Sequence, residues 1–86
     1  MTDIVIAGAA RTAVGSFGGA LKDNPPCDLA TTVAKAAIER AGIDAAATDQ
    51  AFFGNVIHTE PRDMYLSRVA ARQAGVPDHA PALTMN

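Results

Sequence analysis

Residues 51–57 of this 86-residue chain read AFFGNVI, and this stretch decides the fold class. Its apolar residues occupy adjacent positions rather than alternate ones, which is typical of a strand buried on both faces of a sheet. Residues 27–41 before it carry apolar residues at helical spacing, with Asp28 in the first turn and Gly42 at the stop. We therefore expect a helix that leads into a buried strand.

Three further elements extend this order outward. Residues 4–7 read IVIA, which indicates a first buried strand because β-branched residues follow one another. Asp63 is suited to cap a helix over residues 64–74, and Gly75 to end it. The apolar tail predicts a third strand that begins only after Pro81, because proline has no N–H to donate to a neighbouring strand.

The predicted order is β-α-β-α-β, which places the chain in the α/β class. Strands joined by helices must be parallel and are connected by right-handed crossovers. The length allows one small domain and no second one. The chain stops within or just after the third strand, where the loops of open α/β sheets project, so we expect the domain to be interrupted there.

The composition is that of an ordinary globular protein, with 49% hydrophobic and 19% charged residues. The formal net charge is −2 and no basic cluster occurs, which argues against nucleic acid as a partner. One cysteine and two scattered histidines exclude an internal disulfide and a structural zinc site. The start lacks the basic region of a signal peptide, and its apolar run breaks at Gly8 and Arg11. We expect a cytoplasmic chain with no metal and no membrane association.

Two features are typical of binding or catalytic sites, but in both a structural role is favoured. The glycine-rich residues 8–19 follow a predicted strand, yet they match neither G-x-G-x-x-G nor the P-loop pattern, so the glycines are interpreted as conformational. Cys27 stands at a helix start, where the helix dipole could lower its thiol pKa. No histidine lies near it in the sequence to act as a base, so a small structural cysteine is favoured.

Histidines and arginines supply the remaining candidates. His58 directly follows the second predicted strand, a place that often faces a site, whereas His79 lies in a turn and is expected to be exposed. Arg68 and Arg72 stand four residues apart on one helix face. They could bind a phosphate or carboxylate, but a solvated or subunit-facing surface is favoured. The residues alone therefore do not assemble a complete catalytic set.

Four stretches in register resemble the amino-terminal segments of thiolases. They are RTAVGSFGG at residues 11–19, GNV at 54–56, ARQAG at 71–75 and PALTMN at 81–86. The stretch HTEPRDMYL at residues 58–66 resembles the bacterial β-ketothiolase (acetyl-CoA acyltransferase) subgroup. The resemblance runs from one end of the chain to the other, so the chain is identified as a member of that family.

The resemblance implies that residues 1–86 are the first part of a thiolase amino-terminal domain, a layered arrangement of sheet and helices. Thiolases are several times longer and consist of two similar halves. Their nucleophilic cysteine lies in an Asn-x-x-Cys-Gly segment. Asn86 matches the asparagine of that segment, so the nucleophile would lie three residues beyond it. No residue in the chain is therefore assigned a catalytic role.

The resemblance also implies a chemistry and a set of neighbouring residues. A cysteine thiolate attacks a 3-ketoacyl-CoA, releases acetyl-CoA and leaves an acyl-enzyme that a second CoA thiol collects; the reverse reaction condenses two acyl-CoA molecules. Coenzyme A is thus a substrate, and no tightly bound cofactor or metal is expected. The expected partners are acyl-CoA, the remainder of the thiolase chain and further subunits in a homodimer or homotetramer. We place His58, Met64 and Asn86 near the substrate, and Asn55, Arg68 and Arg72 at the subunit interface.

Two alternatives stay open at this point. The chain could belong to a condensing enzyme of the related ketoacyl synthase group, or it could be a stand-alone α/β interaction module without chemistry. The residues that follow Asn86 would discriminate among the three. An Asn-x-x-Cys-Gly continuation indicates a thiolase, a different cysteine context a synthase, and a stop codon a module.

Overall fold

The computed structural model describes residues 3–86. Two α-helices and two strands alternate along the chain, and each helix precedes a strand. The elements are α1 (Pro26–Ala41), β1 (Ala51–Gly54), α2 (Leu66–Gln73) and β2 (Ala82–Met85), with short 3₁₀ helices at Ala45–Ala47 and Pro61–Tyr65. None of the helices among residues 3–86 has the length and apolar character needed to cross a membrane.

The two strands form a parallel sheet, which confirms the predicted α/β class. Ala51 pairs with Ala82 and Gly54 with Met85, so the strands are aligned over their full length. β1 is shorter than the predicted 51–57, because the backbone turns away after Gly54. The N–H of Asn55 donates the last bond to the carbonyl of Met85 at 2.7 Å. The carboxyl ends of both strands therefore lie side by side.

The predicted first strand at residues 4–7 is wrong for this structure. Ile4 and Ile6 are 98% and 91% exposed, and the segment pairs with no strand among residues 3–86. The chain next to it lies against α1 instead: Arg40 Nη1 donates to the carbonyl of Ala9 at 2.9 Å. A strand forms only where a sheet edge is available to pair with it. Apolar sequence alone could not supply that edge.

Helix α1 follows its sequence signals closely. Pro26 occupies the first helical position, where a missing N–H costs nothing, and Asp28 lies in the first turn near the positive end of the helix dipole. Gly42 ends the helix in the left-handed conformation with φ of 71°, and its N–H donates to the carbonyl of Glu39. The predicted helix over residues 27–41 is thus confirmed to within one residue.

Helix α2 is shorter than predicted. It covers Leu66–Gln73 rather than residues 64–74, because the 3₁₀ helix Pro61–Tyr65 precedes it. Asp63 lies within that 3₁₀ helix, so its predicted role as N-cap of α2 is wrong. The predicted stop is confirmed: Gly75 has φ of 97°, and the N–H of Val76 donates back to the carbonyl of Ala71 at 2.9 Å.

A small core joins the helices to the sheet. Its buried apolar side chains are Cys27, Leu66, Ala70, Ala71, Val76 and Ala80. Ser67 is fully buried and attaches α2 to both strands, because its hydroxyl donates to the carbonyl of Ala51 and its N–H donates to Thr84 Oγ1. Most of the core side chains are small, so they bury little apolar area and contribute little hydrophobic stabilisation.

We expect the isolated 86-residue chain to be aggregation-prone or marginally folded, at roughly 5 kcal/mol or less. Large apolar side chains remain on the surface, among them Phe52, Val56 and Leu83 at 59%, 79% and 51% exposure, and within residues 3–86 both strands have an unpaired edge. Analytical ultracentrifugation and calorimetry test this expectation. A monomer with a cooperative melting transition would contradict it.

Candidate functional site

The candidate site lies at the carboxyl ends of the two parallel strands. In open α/β sheets, ligands bind outside these ends, where the loops after neighbouring strands meet. Residues 55–65, which we call the β1–α2 segment, follow β1, and Asn86 follows β2. The β1–α2 segment contains two of the predicted substrate-neighbouring residues, His58 and Met64. The conformation of this segment therefore determines which side chains are exposed at the carboxyl ends of the strands.

The carboxylate of Asp63 organises the β1–α2 segment. Asp63 is 0% exposed. Its Oδ2 accepts hydrogen bonds from the Thr59 N–H at 2.7 Å, the Thr59 hydroxyl at 2.8 Å and the Glu60 N–H at 3.2 Å. These bonds, led by the one from the Thr59 backbone, hold the pKa of Asp63 below its ordinary value. The carboxylate is thus ionised and fully hydrogen-bonded despite its burial.

Cys27 provides the link from this carboxylate to α1. Its side chain is 0% exposed, and Sγ lies 3.5 Å from Asp63 Oδ1 and 3.8 Å from the carbonyl oxygen of Arg62. Burial first, and the hydrogen bond to Asp63 second, raise the pKa of the thiol. A protonated thiol that donates to a carboxylate is a structural group, as the sequence favoured, and not an activated nucleophile.

Arg62 adds a second link between the segment and α1. Its Nε lies 2.6 Å from Glu60 Oε1, and its Nη2 lies 3.1 Å from Asp28 Oδ1 in the first turn of the helix. Hydrogen bonds first to Glu60 and then to Asp28 raise the pKa of Arg62 above its already high ordinary value. Both ion pairs are partly exposed, so they orient the segment more than they stabilise the fold.

The cluster of Cys27, Glu60 and Asp63 has the donor types of a metal site. One potential ligand atom from each residue lies within 4.8 Å of the others. The donors are already engaged, however: the thiol retains its proton, Asp63 accepts four hydrogen bonds, and Glu60 pairs with the guanidinium of Arg62. A guanidinium beside the cluster also repels a second cation. The arrangement suits a hydrogen-bonded structural cluster.

Two concave surfaces flank the start of α1. An open cleft of about 380 Å³ is lined by residues 21–26 together with Thr59 and Glu60. A second concavity of about 290 Å³ is mostly apolar and reaches Phe53, Gly54 and Asn55. The side-chain Nδ2 of Asn55 is buried and has no hydrogen-bond partner within residues 3–86. A buried donor without an acceptor is costly, so this atom is the least satisfied polar group of the second concavity.

The predicted substrate-neighbouring residues all lie at the surface. His58 and Asn86 are exposed, and Met64 is 61% exposed. His58 and Met64 share the β1–α2 segment, whereas Asn86 follows the adjacent strand β2. No hydrogen bond or ion pair in the described part of the chain joins these three side chains. The structure therefore places them at one end of the sheet without assembling them into a site.

The two arginines predicted to lie at the interface, Arg68 and Arg72, both bond to Asp78. Arg72 Nε lies 2.9 Å from Asp78 Oδ1, and Arg68 Nη1 donates to the carbonyl of Asp78 at 3.3 Å. The side chains of Arg72 and Asp78 are 65% and 75% exposed, which leaves this group at the surface. His79 beside it is exposed, as expected. The role of Asp78 was missed because the turn after Gly75 had to fold back onto α2 before the contact existed.

Comparisons with known proteins agree on one family. The family model described as "Thiolase, N-terminal domain" matches residues 4–86. A protein named beta-ketothiolase BktB from Cupriavidus necator is 50% identical over 84 residues, which are 98% of this chain and 21% of that protein. An acetyl-CoA acetyltransferase from Clostridioides difficile is 45% identical over 86 residues, which are 100% of this chain and 79% of that sequence.

Solved structures show the same similarity. The structure of human mitochondrial 3-ketoacyl-CoA thiolase in complex with CoA superimposes with a TM-score of 0.89 at 36% sequence identity, covering 93% of this chain and 20% of that one. Acetyl-CoA acetyltransferase from Syntrophomonas wolfei gives 0.82 at 31% identity, also over 93% of this chain and 20% of that one. The chain thus spans about a fifth of the human and Syntrophomonas proteins.

We expect Asp63 to make the free energy of unfolding of the intact protein depend on pH in the acidic range. Because folding lowers its pKa, its stabilising contribution is complete above roughly pH 4 and is lost as the pH falls through the lowered folded-state value. Asp63→Ala should therefore reduce the urea midpoint at pH 7 more than at pH 3. Asp49→Ala, at an exposed loop position, is the matched control. An equal reduction by Asp63→Ala at both pH values would contradict the expectation.

Proposed function

We propose, since the chain belongs to the thiolase family, that the intact protein is a coenzyme A-dependent acyltransferase of which residues 1–86 form the amino-terminal part. The match of the family's amino-terminal domain over residues 4–86 carries this proposal. It favours a thiolase over the related ketoacyl synthases and over a non-catalytic module. The domain is proposed to continue past Asn86 into the segment that carries the nucleophile.

The proposed reaction is the cleavage of a 3-ketoacyl-CoA by CoA, or its reverse. A cysteine thiolate attacks the 3-keto carbonyl, the carbon–carbon bond breaks, and acetyl-CoA leaves after a proton is returned to its carbanion. The acyl group remains on the cysteine as a thioester until a second CoA thiol takes it. The names of the relatives support this substrate class, and the human thiolase that superimposes on the chain was solved with CoA.

The nucleophile is proposed to lie outside residues 1–86. Cys27 is the only cysteine of the chain, and it is fully buried with a raised pKa. Such a thiol is protonated at neutral pH and cannot be reached by a substrate carbonyl. Asn86 is exposed at the end of β2 and is proposed to begin the segment that carries the reactive cysteine.

His58 and Met64 are proposed to lie near the acyl end of the substrate. Both are exposed on the β1–α2 segment, at the carboxyl end of β1. This is the end of a parallel sheet at which ligands bind. An exposed methionine offers a flexible apolar surface that suits an acyl chain. Their position thus supports substrate contact rather than a role in the core.

Asn55, Arg68 and Arg72 are proposed to face a second subunit in a homodimer or homotetramer. The unpartnered Nδ2 of Asn55 needs an acceptor that further polypeptide can provide. The two arginines form a surface fixed by Asp78, and arginine is enriched at interfaces. We also propose a cytoplasmic location, which suits a protein whose cysteine in this region is a free thiol.

The isolated 86-residue chain is expected to have no thiolase activity. In the intact protein, Cys27→Ser should leave turnover within about twofold of the parent, because it removes no reacting group. Incubation with acetyl-CoA alone, followed by peptide mass spectrometry, should locate the acetyl group on a cysteine after Asn86. Acetylation of Cys27, or acetoacetyl-CoA cleavage by the isolated chain that Cys27→Ser abolishes, would contradict the proposal.

Reversing both helix charges in Arg68→Glu/Arg72→Glu is expected to weaken subunit association by about tenfold or more, because an interface rejects newly introduced charges. Sedimentation velocity across a dilution series measures the dissociation. Lys35→Glu, an exposed reversal on α1, is the control for net charge. Asp78→Asn controls for loss of the local ion pair. Unchanged association in the double variant would refute the interface assignment.

A further inference from the structure

We propose that Asp63 is a positioning residue that holds the β1–α2 segment in place on α1 and thereby sets the acyl-chain selectivity of the site. The inference about selectivity rests on the proposed function, because it assumes that the segment lies beside the acyl chain. The positioning itself rests on the contacts of one buried carboxylate.

The number of bonds to Asp63 exceeds what capping a short helix requires. A cap satisfies one or two N–H groups at a helix start. Asp63 instead accepts bonds from two backbone N–H groups, the Thr59 hydroxyl and the Cys27 thiol. Removing an acceptor that serves one buried and three part-buried donors leaves the Cys27 thiol unsatisfied and releases the backbone at Thr59 and Glu60, which is then free to rearrange.

The two carboxylate oxygens of Asp63 bond to different parts of the chain, so the side chain connects the β1–α2 segment to α1. Oδ2 faces Thr59 and Glu60 of the β1–α2 segment, and Oδ1 faces Cys27 on α1, 36 residues earlier in the chain. Helix α1 is well anchored, because it packs against α2 and the core. The position of the segment relative to α1 therefore depends chiefly on this buried side chain, because the second link, the ion pair of Arg62 with Asp28, is partly exposed.

The residues held by Asp63 shape the surface where selectivity would arise. Thr59 and Glu60 line the open cleft of about 380 Å³ opposite residues 21–26. His58 directly precedes Thr59, and Met64 directly follows Asp63 in the chain. A shift of the bonded backbone would move both exposed side chains. Such a shift changes how well a long acyl chain fits and leaves the thioester chemistry untouched.

The test compares Asp63→Ala and Asp63→Asn in the intact protein with 3-ketoacyl-CoA substrates of four, six and eight acyl carbons. Rates are normalised to the active sites titrated by acetylation, so unfolded protein does not count. Asp63→Ala should raise KM for the eight-carbon substrate relative to the four-carbon one by about tenfold, with kcat per active site within about twofold. Asp63→Asn should restore part of the ratio, because its amide oxygen still accepts. Asp49→Ala should change neither parameter.

A second measurement separates this inference from the proposed function. Hydrogen–deuterium exchange of the intact protein should be faster over residues 55–65 in Asp63→Ala and unchanged in α1. An equal loss of kcat/KM for all chain lengths would overturn the role in selectivity, and unaltered exchange over the segment would overturn the positioning role. A parent protein that cleaves none of the substrates refutes the proposed function, and in that case the exchange measurement alone decides whether Asp63 positions the segment.

Discussion

The arrangement of the β1–α2 segment on α1 depends on the burial of one ionised carboxylate, that of Asp63. A charge removed from water is tolerated only when donors surround it. Asp63 meets this condition with groups from Thr59, Glu60 and Cys27, so none of these can move independently. The core contributes less, because most of its buried apolar side chains are small. The hydrogen bonds around Asp63 thus align the β1–α2 segment with α1, whereas large apolar side chains align such elements in other small domains.

The predictions that held were those with local causes. The ends of α1 follow from Pro26 and Gly42, whose backbone preferences act within one turn. The strand at residues 82–85 begins after Pro81 for an equally local reason. The strand at residues 4–7 failed because pairing depends on an edge that no local pattern specifies. The fold class and the order of the elements from α1 to β2 could therefore be predicted, but the pairing of residues 4–7 into a first strand could not.

The candidate site was predicted only in outline. The sequence places His58 directly after a strand; in the structure β1 ends at Gly54, and His58 lies exposed in the segment that follows it. Residue type and position predict a helix cap at Asp63, whereas its contact with Cys27 could not be predicted because the two residues lie 36 positions apart. The contacts of Asp78 with both arginines required the turn after α2 to be folded. The roles of Asp63 and Asp78 depend on contacts that exist only in the folded chain, so no local sequence pattern could predict them.

The close approach of Gly8 to α1 has a consequence for sequence variation. A Cβ on Gly8 would lie 2.6 Å from the carbonyl oxygen of Ala37 and 2.9 Å from the backbone nitrogen of Ala41. Both of these are backbone atoms, which cannot rotate aside as a side chain can. Ile4 and Ile6 nearby are, by contrast, largely exposed within residues 3–86. Tolerance to substitution at Gly8 is thus set by the backbone of α1 and not by side-chain packing, since even a single methyl group at this position displaces helix backbone.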